Sequence, residues 1–510
     1  MIKNTLKKMI SIGLAAVVAG SLMVGCGSSS SKSADASDPS KLKEVKLKMY
    51  LIGDKPKDYD AVYGKVNEIM KKKINATIDV SFLPWSDMAT KYQLLFQSGE
   101  DFDMIFTGSW AYYSQVATKN GFYEITDDVL QKYAPNTAKN EPKEALRQAK
   151  VNGKVFMLPG DREEYGTNVY GVRGDLMKKY GIDKIKSYDD FEKYMDATSK
   201  DAANGVKVIA NGGGQNLQWP YMLEKNGFTT VNGSPSPSIG FNVNDATGKV
   251  FAFTDTPEYK AYATKMKEFA QKGYWASDSI SSKATRNDDF KAGKTSTMVW
   301  NTGSVAGAVQ DLNKANPAAD AQVVDLSAGT KRTVQPYINN GVAINAISKN
   351  PERALMAIDL LKYDKEINLL TWYGIEGTHY KADGDKKFKK TDATPNFTNV
   401  CPWGWYTTEF NLIDSDEPAI VQEIVNSWKK NDTVSNPLSS FSFDDSKFKN
   451  EMAAVGNVIT QYGVPIDLGM EEDVDAAIKQ YRAKLTEAGF DKILEECQKQ
   501  AKTYVEQYNK

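Results

Sequence analysis

The stretch EVKLKMYLIGDKPKDYDAVYGKVNEIMKKKINATIDVSFLP, Glu44 to Pro84, changes its hydrophobic period twice. Glu44–Ile52 alternates polar and apolar residues, the period of a half-buried strand. Tyr59 to Lys73 then sets Val62, Val66, Ile69 and Met70 on one helical face, and Ala76–Pro84 returns to alternation. Downstream, Ser86 to Gln97 reads as a second helix stopped at Gly99, and FDMIFTG (Phe102–Gly108) as a third strand. Strand, helix, strand, helix, strand predicts an α/β fold with a parallel sheet, since successive parallel strands need a crossover. Ligands of such sheets gather beyond the carboxyl ends of the strands. Those ends read Gly53-Asp54, Pro84-Trp85 and Gly108-Ser109-Trp110, so two indoles share one edge. For Trp85 the plain expectation is a plug between helix and sheet; the shared edge makes Trp110 as much a surface platform as a core residue.

The 510 residues suffice for two or three domains, and the formal net charge of −1 offers no basic stripe for nucleic acid. The aromatics are abundant, 9 Trp, 26 Tyr and 20 Phe, against a single histidine, His379. That imbalance rules out a Cys/His zinc cluster or a paired-histidine metal site, and no G-x-S-x-G elbow accompanies His379. AGKTST (Ala292–Thr297) lacks the upstream glycine of a phosphate-binding loop, and KADGDKKFKKTD (Lys381–Asp392) lacks the oxygen spacing of a calcium loop. No metal and no cofactor are therefore expected. Cys401 and Cys497 could pair as a disulfide outside the cell, although Cys497 shares a helical face with Phe490, Ile493, Leu494 and Ala501 and reads first as a core thiol. The tail from Asp473 to Tyr508 reads as two amphipathic helices broken at Gly489.

At the other end of the chain, Lys3, Lys7 and Lys8 precede an apolar run from Met9 to Val24, the layout of a removable signal peptide over residues 1–25. LMVGC resembles the lipobox of bacterial lipoproteins, with Met23 where the family usually has leucine. The resemblance implies that Cys26 is diacylated and anchors the mature chain to the outer face of the cell membrane. Residues 26–43, rich in serine, then form a disordered tether.

Several further segments resemble the extracellular solute-binding proteins of ABC importers related to maltose-binding protein. VNGKVFMLPG (Val151–Gly160) is similar to the strand with which that family first crosses between lobes. YGVRGDLMKKYGI and SYDDFEKYM resemble the strand and helices that follow. DDFKAGKTSTMVWNTGS (Asp288–Ser304) and NGVAINAISKNPERALMAIDLLKYDKE resemble a later strand and the return strand with its helix. With YGIEGTHY (Tyr373–Tyr380) and PWGWYTTEF (Pro402–Phe410), the chain looks like a larger lipoprotein subgroup of Gram-positive bacteria.

The resemblance implies a periplasmic-binding-protein-like fold: two α/β lobes joined by a hinge, plus a helical C-terminal extension. Residues 44–160 with about 335–375 would form the first lobe, and 161–334 with about 376–510 the second lobe and the extension. It implies a monomer that captures a carbohydrate between the lobes and hands it, unaltered, to the transmembrane permease subunits. Indoles suit the apolar faces of pyranose rings, and polar side chains their hydroxyls. The platforms expected are Trp110, Trp219, Trp300, Trp372, Trp403 and Trp405, of which Trp372 also closes a helical packing stripe. Asp54, Arg162, Glu163 and Asn301 are expected to hydrogen-bond the sugar. Trp275 and Trp428 read as structural. Two other classes stay open on sequence alone: a surface glycoside hydrolase, which would need an acid pair about 5–9 Å apart, and a peptide-binding or adhesive lipoprotein.

Overall fold

The computed structural model describes residues 38–508 apart from 166–167, 202–204, 211–215, 236, 277, 282–285 and 399. The leader, Cys26 and most of the expected tether lie outside the described residues. The strand and helix order of the opening stretch is as the hydrophobic periods require: β1 (Val45–Ile52), α1 (Tyr59–Ile74), β2 (Ala76–Leu83), α2 (Trp85–Gln97) and β3 (Met104–Thr107). In β1, Leu47, Met49 and Leu51 are buried while Lys46 and Lys48 face out, and Lys46 reaches Asp79 of β2 at 2.8 Å. β1 runs parallel to β2 from Val45 opposite Ala76 to Ile52 opposite Leu83. A slip of one residue would turn every one of those aliphatic side chains to the other face of the sheet.

Five further strands complete the frame: β4 (Met157–Pro159), β5 (Val169–Arg173), β6 (Thr297–Trp300), β7 (Ala321–Val324) and β8 (Gly341–Ile344). The first sheet has the order β2-β1-β3-β8-β4; β3 is parallel to β1, and β8 lies antiparallel to both β3 and β4. In the second sheet β5 is central, antiparallel to β6 and β7. The two faces of that sheet feed separate cores: Val169 and Met298 pack with the helix Thr302–Ala315, whereas Tyr170 and Val299 pack with Phe191, Tyr262 and Phe269. Between the sheets, three passages of chain pair as a ribbon, Glu164–Tyr165 and Thr433–Val434 flanking Arg332–Gln335.

The C-terminal helices Val474–Glu487 and Phe490–Tyr508 flank Gly489, whose φ is +90°. They are part of a core rather than an appendage: Tyr481, Leu485, Phe490, Ile493 and Cys497 share one hydrophobic cluster with Tyr170 and Phe191. Phe397, Cys401 and Trp405, expected with the second lobe, pack instead among the residues of the first sheet. The Cys401 thiol donates to the Ile52 carbonyl at 3.1 Å, so the segment is tied to the end of β1. That placement also corrects the disulfide left open above. Cys401 and Cys497 are free thiols buried in different cores, each pushed up to about 12 by burial. His379 is likewise structural: its Nδ1 accepts from the Ile375 amide at 2.9 Å, which leaves Nε2 to donate to Asp58 at 3.2 Å.

Candidate functional site

The carboxyl ends of β1, β2 and β3 meet the passage that returns from the second sheet. Gly108 makes this approach possible. A Cβ there would stand 2.2 Å from the Asn339 carbonyl oxygen, so any other residue would push the two backbones apart. The Ser109 amide donates to the Ile338 carbonyl at 2.8 Å, which sets Asn339 and Asn340 beside Trp110. The Trp110 indole N–H donates to Asn340 Oδ1 at 3.3 Å.

On this edge Trp85 and Trp110 stack, ring centroids 5.9 Å apart and planes 22° from parallel. They are 51% and 42% exposed. Trp85 is thus no plug: it begins α2, where its ring lies outside the helix–sheet core, and a Cβ on Gly53 would stand 3.7 Å from its indole nitrogen. Phe106 sits under Trp110 at 5.6 Å and meets Trp403 edge-on at 6.0 Å. Beyond Trp403 lies a narrow pocket with room for about one water molecule, lined among others by Arg162, Glu164, Asn339, Asn340, Trp403 and Tyr406. Trp372 touches its rim by standing edge-on to Tyr406 at 5.4 Å.

The polar groups here are held by one another. The Arg162 guanidinium lies 5.3 Å over the Tyr406 ring, and its Nε is 3.6 Å from Glu164. Asn339 Nδ2 donates to Glu164 at 3.4 Å. Glu163 accepts from the hydroxyls of Tyr165 and Tyr337 and pairs with Lys429 at 3.8 Å, so it staples the three-stranded ribbon. Burial, reinforced by Glu163, pushes the Tyr337 phenol up to about 12, and burial raises Tyr406 too; both remain hydrogen-bond donors near neutral pH.

The residues expected from sequence therefore divide. Trp110, Trp403 and Arg162 come together on this edge, with exposed Asp54 next to Gly53 and Trp372 at the rim. Trp405 does not join them: it is 1% exposed, with its N–H donating to Thr371 at 2.9 Å, and a ring enclosed in the core offers no face to a ligand. Asn301 is exposed, but its side-chain oxygen caps the helix Thr302–Ala315 by accepting from the Ser304 amide at 2.9 Å. Trp300, half-buried at the end of β6, carries the Arg286 guanidinium 3.9 Å over its ring, so one face is occupied. Trp219 is half-buried in a π-helical turn of the second sheet's other core. Trp275 and Trp428 are buried, as read. Sequence reasoning missed Trp85, Asn339, Asn340 and Tyr406 as site residues. The tandem asparagines directly before the return strand were the signal for two of them. Among the described residues, no group of three or more His, Cys, Asp or Glu side chains could hold a metal ion, and no helix is long and apolar enough to cross a membrane.

A family model described as bacterial extracellular solute-binding protein matches residues 53–363, and one for a domain of unknown function, DUF3502, matches residues 437–506. The chain is 27% identical over 504 residues to a carbohydrate ABC transporter substrate-binding protein of Streptococcus pneumoniae, covering 96% of each. The crystal structure of the N-glycan transport solute binding protein NgtS of Streptococcus pneumoniae superposes with a TM-score of 0.73 at 23% identity, over 92% of this chain and 100% of that one. A solute binding protein of Bifidobacterium longum infantis, described as binding HMO, has a TM-score of 0.64 at 14% identity, over 91% and 99%. A family match across more than half of the chain, on two α/β sheets linked by three passages, leads to one conclusion: this chain belongs to the bacterial extracellular solute-binding proteins.

Proposed function

We propose that the protein is the capture component of an ABC importer, that it takes an oligosaccharide between its two lobes, and that it releases the sugar unaltered to membrane permease subunits. The first lobe is read as residues 44–160, about 335–375 and the packed segment around 397–405; the second takes the remainder. The mature chain would act as a monomer outside the cell, tethered by diacylated Cys26.

The observation that carries this reading is the Trp85–Trp110 pair. Two large indoles stacked yet left in water at the ends of β2 and β3, the strands on either side of β1, forgo burial worth roughly 25 cal/mol per Å². A ligand whose ring faces are apolar and whose edges are hydroxylated recovers that energy, while Asn339, Asn340, Arg162 and Glu164 satisfy the hydroxyls. The relatives support a glycan: one NgtS structure is in complex with Man5GlcNAc, and the relative that matches nearly end to end is a carbohydrate transporter component. Asp54, Trp403 and Trp372 on the first lobe, and Trp219 and Trp300 on the second, complete the set of contacts proposed. Calorimetry of the mature chain against mannose-containing, galactose-containing and uronic-acid oligosaccharides, with a peptide library alongside, tests it. Saturable heat with a glycan and none with peptides is expected; silence from every sugar would refute the reading.

A further inference from the structure

The C-terminal region shares the second lobe's core along several elements, and one of these contacts is made by the end of the short helix Val464–Asp467 and the turn through Gly469 that follows it. Ile466 and Leu468 are in that core, the Leu468 carbonyl accepts from the Trp275 indole at 3.0 Å, and a Cβ on Gly469 would stand 2.3 Å from the Met266 carbonyl oxygen. With φ of +65°, Gly469 lets the turn lie directly on the helix Pro257–Gln271. Between Ile466 and Leu468, the buried Asp467 carboxylate accepts from Tyr262 and from Gln218 Nε2, each at 3.0 Å.

Gln218 opens the π-helical turn Gln218–Leu223 that carries Trp219. Turns of this kind are uncommon and frequently lie at functional sites, and the described residues hold two more, at Trp428–Asp432 and Ile459–Gly463. This one is pinned from outside at several points. Asp467 holds its first residue, Tyr188 donates to the Pro220 carbonyl at 3.3 Å, and Glu224, directly after it, accepts from the Asn168 amide at 3.2 Å. Asn168 immediately precedes β5, where the chain has just entered the second lobe from the ribbon. Tyr221, Met222 and Leu223 are buried, which leaves Gln218 and Trp219 as the half-buried face of the turn.

We propose that Asp467, supplied by the C-terminal region, is a positioning residue for Trp219: by fixing Gln218 it aims the second lobe's indole at the ligand. The region matched as a domain of unknown function would then help to set ligand affinity. This rests on the reading of Trp219 as a platform in the capture of a sugar.

The test uses the whole mature chain labelled with 5-fluorotryptophan, the Trp219 resonance being assigned by its loss in Trp219→Phe. Gln218→Ala and Asp467→Ala are expected to shift or broaden the Trp219 resonance and to leave Trp85 and Trp110 unmoved. Asp467→Asn, which can still bond Gln218 and Tyr262, should restore it. Asp467 is faced by Gln218, Tyr259, Tyr262 and Tyr481, and burial pushes its carboxyl up to about 7, so the wild-type Trp219 resonance should also titrate near neutrality and cease to do so in Asp467→Asn. Binding of Man5GlcNAc should weaken about tenfold in Gln218→Ala, the order expected for one lost hydrogen bond. A Trp219 resonance unmoved by Gln218→Ala, or moved only together with every other indole, overturns the proposal. So does an affinity lost in Trp219→Ala but kept in Gln218→Ala. Affinity kept in both, with the fluorine coupling intact, overturns instead the platform reading on which it rests.

Discussion

Replacing Asp467 by asparagine should stabilise the protein at alkaline pH and matter much less in acid. Burial raises this carboxyl from 3.8 to about 7, and the Tyr262 hydrogen bond only partly opposes the rise. Over the window from 3.8 to about 7 the native chain therefore holds a proton that the unfolded chain has released, so unfolding free energy falls as pH climbs through it. At ~1.36 kcal/mol per unit, the full penalty above that window has a ceiling of ~4 kcal/mol. Tyr259, Tyr262 and Tyr481 face the group, but burial holds each phenol far above pH 8, so none contributes to the slope. Asparagine preserves shape, can accept from Tyr262 and can donate to Gln218 once that amide turns over. Urea unfolding of wild type and Asp467→Asn, followed through the buried Trp275, measures the difference. The variant's advantage should widen by ~2–3 kcal/mol between pH 5 and pH 8. An advantage that is constant, or that shrinks toward pH 8, would refute the argument that this carboxylate is buried at a cost.

Trp110→Ala should weaken glycan binding by ~1–2 kcal/mol in calorimetry, and because Trp85 and Trp110 stack on each other, Trp85→Ala combined with it should depart from additivity by ~0.5–1.5 kcal/mol. Strict additivity would mean that the pair is not one platform. Trp405→Ala should instead cost ~3–5 kcal/mol of stability through the cavity it opens and the bond to Thr371 it breaks, read as a fall in Tm. Lys362 and Glu141 form an ion pair in which both side chains are almost wholly enclosed, with Lys362 also donating to the Pro159 carbonyl at the end of β4. Lys362→Met leaves that carboxylate without its cation and should cost ~3–5 kcal/mol, and adding Glu141→Leu should return most of the loss in the same denaturation assay.

The amino-acid sequence alone determined what depends on local period. Alternation over Val45–Ile52 and Ala76–Leu83 and the three-four spacing of Val62, Val66 and Met70 specify the opening strands and α1 wherever the rest of the chain lies. A helix between two strands then forces them parallel, and the edge where ligand-facing groups collect follows from that. The motifs near residues 151–160 and 341–365 likewise carry the family resemblance, and they hold the last strand before the chain leaves the first sheet and the strand on which it returns.

Exposure of individual indoles was decided only by the tertiary structure. Trp85 opens α2 and Trp405 closes the short helical turn Pro402–Trp405, yet one stands half in water and the other is sealed in the core. The difference is made by separate elements of the chain, since Trp405 meets Thr371, 34 positions away, while the return passage at Asn339 and Asn340, the latter 230 positions from Trp110, borders that indole and leaves Trp85 open. The same holds for Asp467 and Gln218, 249 positions apart and joined by a single hydrogen bond. Burial is a sum over neighbours from the whole chain, and a periodicity confined to one element contains no information about who those neighbours are.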